Sequence, residues 1–393
     1  MPGDRPMSIE SRFAPRLAGL TATAVVLLGT NACTGNLDPV SRADIVVQPL
    51  EVEGAGFVPT QLNAGQLEAG VQAGVDYYNH ASDNHLGNAS VAAGKSMKLR
   101  VDGITKVGDL CTGDAKRKFL AAADKATHHK DTQRVVFVTN ATDVDKTCLT
   151  EGVEDTGRLI AIFGDKNLNK KTVGHELGHT EGLNHIDAWK CPRPANLTTD
   201  CTSVPYGDPT KLMSYEYDDF DAVEPLTAFQ LLHLGKIRNE QVMKISGPQT
   251  TAVELSLPSI KDDKTKAVVV DVGGVGNETS IDPLKCAQKA VLQVDKEPYT
   301  DKSGAVVQAT VLKVYTQGDR QGAPVANLMR LSTNEQFFGL GYQNAQTVHI
   351  GRVTLRLTFD KAQQGKLIQD TTKMTVGVSY QGSPPQLGVT NCH

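Results

Sequence analysis

A marked excess of charge of either sign is missing from this sequence. Across 393 residues, 40 Lys and Arg stand against 44 Asp and Glu, a formal net charge of −4. So even a balance sets up no field for a polyanion, and no nucleic-acid partner is expected. A Gly-rich phosphate loop, an internal repeat and a basic stripe interleaved with aromatics are also missing. No two of the seven cysteines are spaced C-x-x-C, which argues against a thiolate zinc site. The apolar run from Leu17 to Thr30 is too short to span a bilayer as a helix. What remains is the composition of a soluble globular protein, 39% hydrophobic and long enough for two domains.

Arg5, Arg12 and Arg16 precede that apolar run, an arrangement suited to an export signal, so residues 1–33 are set apart from the fold. The run ends in Thr30-Asn31-Ala32-Cys33-Thr34-Gly35. A small residue directly before a Cys, with a polar tether after it, resembles the processing site of bacterial lipoproteins, although Thr30 stands where Leu is usual. A lipid-bearing Cys33 leaves six cysteines, an even set that suits disulfides in an exported chain. Sequence neighbours suggest Cys111 with Cys148, Cys191 with Cys201 and Cys286 with Cys392, one of fifteen pairings. A diacyl anchor at Cys33 is the expected route to a membrane. Ordinary cleavage nearby, with release, is the alternative.

The chemistry is concentrated in residues 172–185, which read TVGHELGHTEGLNH. His175 and His179 are four apart, so on a helix both rings project from one face and can share an ion. Glu176 lies between them in the general-base position of H-E-x-x-H. Gly182 can adopt a left-handed conformation that ends the helix and returns His185 to the same ion. Three neutral imidazoles and one water make an open tetrahedral zinc site of the catalytic kind. The five fixed positions of H-E-x-x-H-x-x-G-x-x-H arise by chance in roughly a few of every 10⁵ chains of this length.

All five positions resemble the zinc-binding signature of the metzincin metallopeptidases. That resemblance implies a methionine turn beneath the metal, and Lys211-Leu212-Met213-Ser214-Tyr215 is placed to supply it, with Met213 as the apolar floor. It also implies a role for Tyr215, two residues on, as a metal ligand or a donor to the oxyanion. In that family the last strand before the metal helix is the sheet edge that binds substrate, a role that falls here to Arg158–Phe163. The segment between His185 and Met213 then shapes the pocket that sets specificity. Ile186 and Asp187, directly after the third His, match no particular branch, and the helix near Leu226–Leu234 is similar to one in gametolysin-like secreted metallopeptidases.

Periodicity places the remaining elements. Strands are expected at Ile45–Val52, Ser96–Val101, Arg134–Thr139 and Arg158–Phe163, and helices at Thr60–His80 and Asp114–His128, the second capped by Asp114 or Thr112. Pro225 is expected to start the Leu226–Leu234 helix and Gly235 to end it. Asp165-Lys166-Asn167-Leu168-Asn169 has alternating oxygen ligands without the Gly and distal Glu of an EF-hand. It reads as a turn feeding the metal helix, with structural Ca²⁺ as the alternative. His128-His129 reads as a solvated pair at a helix end, and His233 as a packed or surface residue. Beyond residue 245 short strands recur: Ala252–Leu257, Ala267–Val272, Ala290–Val294, Ala305–Val314, Val348–Phe359 and Met374–Tyr380, the pattern of a β-sandwich.

The expected protein is α+β, a metzincin-like catalytic domain over residues 56–244 after a tether and first strand (34–55), followed by a β-sandwich accessory domain over 245–393. Its expected activity is that of an exported, monomeric zinc endopeptidase on a polypeptide substrate. The metal ligands are His175, His179 and His185, and the catalytic residues Glu176 and Tyr215. The alternative is a surface lipoprotein that binds a ligand through its β domain and carries a non-catalytic zinc site.

Overall fold

Ile45–Val52 (β1) is buried along nearly its whole length, as expected of a strand covered on both faces. It organises the first sheet of the computed structural model. The structure describes residues 43–141, 152–155, 157–197, 200–208, 210–214, 226–272, 289–300, 303–320, 323–329, 331, 339, 345–350, 353–359 and 372–382. Residues 1–33, Tyr215, Pro225 and Cys148, Cys286 and Cys392 therefore lie outside it. The other strands of this sheet are β2 (Phe57–Val58), β3 (Val91–Ala93), β4 (Met97–Leu99), β5 (Arg134–Ala141), β6 (Gly152–Asp155) and β7 (Leu159–Phe163). The sheet runs β3-β1-β5-β7-β6, with β4 on β1 and β2 on β5. It is parallel from β3 to β7, and β6 closes it antiparallel.

Two helices cover one face. The helix α1 (Ala64–Ala81) starts on an Asn63–Gln66 capping box, which satisfies two orphan N–H groups at once. It packs with the metal-motif helix α3 (Lys170–Thr180) against Ile45, Val47, Val136, Val138, Ile160 and Ile162. The backbones come close because both helices present glycine: a Cβ on Gly74 would lie 2.4 Å from Val173, and one on Gly174 would lie 3.0 Å from Tyr77. The helix α2 (Gly113–Thr127), capped by Thr112, covers the opposite face through Phe119, Leu120 and Ala123. His128 ends it in the left-handed conformation.

Two further sheets face each other across one core. Their strands are β8 (Ile186–Lys190), β9 (Asn196–Leu197), β10 (Thr202–Val204), β11 (Val242–Ile245), β12 (Gln249–Ser256), β13 (Ala267–Asp271), β14 (Lys289–Thr300), β15 (Val306–Arg320), β16 (Ala323–Met329), β17 (Ala345–Ile350), β18 (Val353–Phe359) and β19 (Lys373–Gln381). One sheet runs β10-β8-β16-β15-β14-β13-β11, the other β12-β19-β18-β17-β9. The segment that follows the third histidine thus supplies strands to both sheets: β8 and β10 to the first, β9 to the second. The chain is α+β: among the described residues, helices and strands mix in its first half and strands alone follow the helical turn Asn239–Gln241.

The larger of these sheets is covered on both faces, and its sequence alternates accordingly. Leu292, Val294, Leu312 and Val314 enter the core between the sheets. Val291 and Tyr315, one residue out of phase, join the core under α1 and α3. On that same inward face lie Asp295, Glu297 and Lys313, each at most 2% exposed. Lys313 Nζ stands 3.2 Å from Asp208, 3.3 Å from Glu297 and 3.7 Å from Asp295, and Lys211 Nζ 2.7 Å from Asp295. Tyr315 donates its hydroxyl hydrogen to Asp208 at 2.7 Å. Burial alone would raise Asp208, but Lys313 and Lys211 hold it below the usual carboxylate range. Burial pushes the Glu297 carboxyl up, against the pull of the Lys313 ammonium.

Several expectations change. Arg158–Phe163 is not a sheet edge: β7 lies between β5 and β6, and all five of its residues are buried. The edge position belongs to β6, which lies within a polar stretch that carries no strand pattern. Val348–Phe359 is two strands, since Ile350 pairs with Val353. The final helix, α4, covers only Ala228–His233, because Thr227 and Gln230 form a capping box there. Gly235, at φ 69°, ends it as expected. The strand β16 was missed on account of Pro324, which pairs only with β15 at Asp319, before the pairing with β8 begins at Ala326. Cys191–Cys201 is a disulfide as expected, and Cys111 is also disulfide-bonded. The buried cluster yields one prediction: Lys313→Met takes the ammonium from beside Asp208 and Glu297, while Asp295 keeps Lys211, and it lowers stability by about 3–5 kcal/mol, measured by urea unfolding.

Candidate metal centre

Asn169 caps α3 by accepting from the N–H groups of Lys171 and Thr172. Val173 and Leu177 go into the core; His175 and His179, offset by two residues, point the other way, as 3.6 residues per turn requires. The helix ends at Thr180 with Gly182 at φ 77°. Gly182 N–H donates to His179 O at 2.9 Å and Leu183 N–H to Gly178 O at 3.1 Å, the paired bonds of a Schellman cap. That reversal brings His185 back beside the helix, and β8 begins at the next residue. Among the described residues, His175, His179 and His185 are the one group of three or more side chains placed to hold a metal ion.

The ring nitrogens converge. His179 Nε2 lies 3.1 Å from His175 Nε2 and 2.9 Å from His185 Nε2. Nitrogens bound tetrahedrally to zinc at about 2.0–2.1 Å sit about 3.3 Å apart, close to this spacing. His175 Nδ1 faces Leu212 O at 2.8 Å and His179 Nδ1 faces Leu183 O at 2.7 Å. A carbonyl only accepts, so both Nδ1 atoms carry the hydrogen and both Nε2 atoms offer lone pairs. Lone pairs directed at one point repel unless a cation lies between them, and that fits the donor set to a metal ion. Burial, reinforced by the neighbouring histidines, lowers His175 to about 3 and His185 to about 2, and burial lowers His179 as well. The three rings are therefore held neutral, the form that ligates.

The floor of the site is the 208–214 turn. Met213 is fully buried, and a Cβ on Gly178 would lie 2.3 Å from its sulfur. Only glycine between Leu177 and His179 lets the sulfur this close to the helix. Met213 O accepts from Ile186 N–H at 2.7 Å, and Ser214 Oγ donates to Ile186 O at 3.0 Å. The turn is thereby tied to the residue directly after the third histidine. Glu176 is 7% exposed. Directly after the helix, Glu181 is ion-paired with Arg134 of β5 and lies in hydrogen-bonding contact with His85 Nε2 at 2.9 Å.

Tyr206 escaped sequence reasoning. Its ring lies 4.0 Å from that of His185 and 6.2 Å from that of His175, centroid to centroid. Its φ is 55°, uncommon without glycine. Asp187 holds it there, accepting from Tyr206 N–H at 3.0 Å and from Ser203 Oγ at 3.2 Å. Burial raises its phenol, and the charges of Glu176 and Asp187 add to this. Gly207 lets the backbone here press onto β8, since a Cβ on it would lie 2.3 Å from Ala188, a contact that the sequence does not announce. The Asp165–Asn169 segment forms a turn feeding α3. Asp165 accepts from Thr60 Oγ1 at 2.6 Å and Gln61 N–H at 2.8 Å, and Asn169 is the helix cap. His233 is exposed and outside the histidine cluster.

No protein-family model matches this chain, and neither does any curated protein. Two predictions follow from the geometry itself. Gly178→Ala must displace Met213, and the overpacking costs about 1–3 kcal/mol, read as a lower thermal unfolding midpoint. The three depressed histidines make the metal-free chain acid-sensitive. Below about pH 6.5 the unfolded chain takes up protons that the folded site refuses. Stability is therefore whole above that pH and falls as the pH drops toward 3, measurable by urea titrations in chelator across that range.

Proposed function

We propose that this chain is an exported, zinc-dependent endopeptidase of metzincin type. The observation that carries the reading is the convergence of three neutral imidazoles from one helix and its reversing turn, with the carboxylate of Glu176 on the same helix. Zinc held by three imidazoles keeps one position open, polarises a carbonyl and makes water a nucleophile near neutral pH.

The chain's own residues divide the remaining work. Glu176 accepts the proton of the attacking water and passes it to the nitrogen of the leaving amine. Leu212 O and Leu183 O orient His175 and His179, and such second contacts raise ligand basicity and hold the ring tautomers. Met213 supplies an apolar floor. Tyr206 walls the His185 side of the site, and Tyr215, which lies outside the described residues, is kept as a candidate donor to the oxyanion. β6, terminal in its sheet order among the described residues, offers a backbone edge to which an extended polypeptide can add as a strand. Export is supported by the basic and apolar N-terminal stretch and by the Cys191–Cys201 disulfide, since such bridges persist in oxidising compartments. Among the described residues no helix is long and apolar enough to cross a membrane.

The test pairs metal content with cleavage of a denatured protein. Glu176→Gln is expected to retain one zinc per chain and to lose about 10²–10⁴-fold in cleavage rate. Wild-type protein that holds zinc yet cleaves nothing would reject the peptidase and leave a non-catalytic zinc site.

A further inference from the structure

Among its described residues, the turn beneath the histidine cluster belongs to no helix or named strand. Residues 208–214 are held internally by Lys211 N–H donating to Asp208 O at 3.3 Å, Ser214 N–H to Lys211 O at 3.1 Å and Asp208 N–H to Ser214 Oγ at 2.9 Å. Yet this turn sets the first ligand, because His175 Nδ1 donates to Leu212 O at 2.8 Å, and it places Met213 against Gly178. Something outside the turn must fix where it sits.

The side chains that do so come from the sandwich. Lys211, the neighbour of Leu212, puts its ammonium 2.7 Å from Asp295 of β14. Asp208 receives Tyr315 and Lys313 of β15 at 2.7 and 3.2 Å, and Lys313 also donates to Thr210 Oγ1 at 2.7 Å. The side chains of Lys211, Asp208, Asp295 and Lys313 are each at most 1% exposed. An apolar contact tolerates sliding, whereas buried ion pairs with directed hydrogen bonds specify one register. Three of the turn's residues are gripped this way, within a few residues of the carbonyl that orients His175.

We propose that the β-sandwich is a structural part of the metal centre: β14 and β15, through the Lys211–Asp295 and Lys313–Asp208 pairs, position the 208–214 turn so that Leu212 O and Met213 hold the ligand helix in its metal-binding geometry. Asp208, Lys211, Asp295, Lys313 and Tyr315 are positioning residues that act through Leu212 and Met213. The inference rests on the metal-site reading and extends it across the expected boundary near residue 245.

The experiment uses the full chain with zinc alone as probe. Affinity is measured by competition with a chromophoric chelator, and ligand geometry by the visible spectrum of the Co²⁺ form. The double variant K211M/D295N removes one cation and one anion together, so the cluster keeps its balance while the turn loses the tie nearest Leu212. The control K266M/D262N removes a second ion pair, 2.6 Å apart, between a buried lysine and a half-buried aspartate, whose other partners include Ser256, Leu257, Ile260, Lys264 and Lys373. K211M/D295N is expected to weaken zinc binding about 10–100-fold and to alter the Co²⁺ spectrum, with the control within about twofold of wild type. A folded K211M/D295N with wild-type zinc affinity and spectrum overturns the proposal, as does an equal loss in the control. Should K211M/D295N not fold, Tyr315→Phe removes only the hydroxyl that donates to Asp208, and it is expected to weaken zinc binding more than about twofold; wild-type affinity in that variant overturns the proposal. Wild-type protein that takes up no zinc removes the metal reading and this inference together, a result distinct from variants that bind as wild type does.

Discussion

Three imidazole nitrogens meet within hydrogen-bonding distance of one another, two of them with lone pairs turned inward by backbone carbonyls, and the surrounding structure is arranged to keep them there. Left in water they would turn apart or take up protons. Two devices prevent this. Backbone carbonyls at Leu212 and Leu183 bind the Nδ1 hydrogens of His175 and His179 and so turn the Nε2 atoms inward. Burial makes the protonated form costly, which depresses all three rings. Both devices need rigid surroundings, because a carbonyl a few tenths of an ångström out of place no longer selects a tautomer.

That rigidity is supplied in layers. Glycines at 74 and 174 let α1 and α3 approach closely over the parallel sheet, and Gly178 lets Met213 approach α3 from below. The turn carrying Met213 rests in turn on a sheet covered on both faces, whose inward side offers lysine, aspartate and tyrosine where apolar contacts alone would have left the turn free to shift. The chain passes from His185 directly into β8 of that same sheet. Helical and all-strand portions therefore meet at the histidine cluster instead of being joined by a linker.

How much of this could be read in advance differs element by element. Residues 172–185 were legible because their geometry is local: a four-residue spacing and a glycine that permits a left-handed turn need no distant partner. The Thr112 cap, the Gly235 stop and the Cys191–Cys201 bridge were legible for the same reason. The place of β7 in its sheet was not, because an all-apolar strand announces burial on both faces without naming its neighbours. β6 and β16 were hidden, one in a polar stretch and the other by a proline. Tyr206 was hidden because what holds it, Asp187, is nineteen residues away in sequence.

The sequence by itself determined which side chains can gather around an ion, their helical spacing and the turn that returns the third. Those are properties of consecutive residues and their backbone preferences. Only the tertiary structure decided which carbonyls set the ring tautomers, which tyrosine lies over His185, and that charges spaced from residue 208 to residue 313 close into one buried cluster beneath the site. Alternation along β14 and β15 shows that their polar residues share a face, but a period of two carries no information about what lies opposite. That partner is chosen by packing, once the sheet has been covered on both sides.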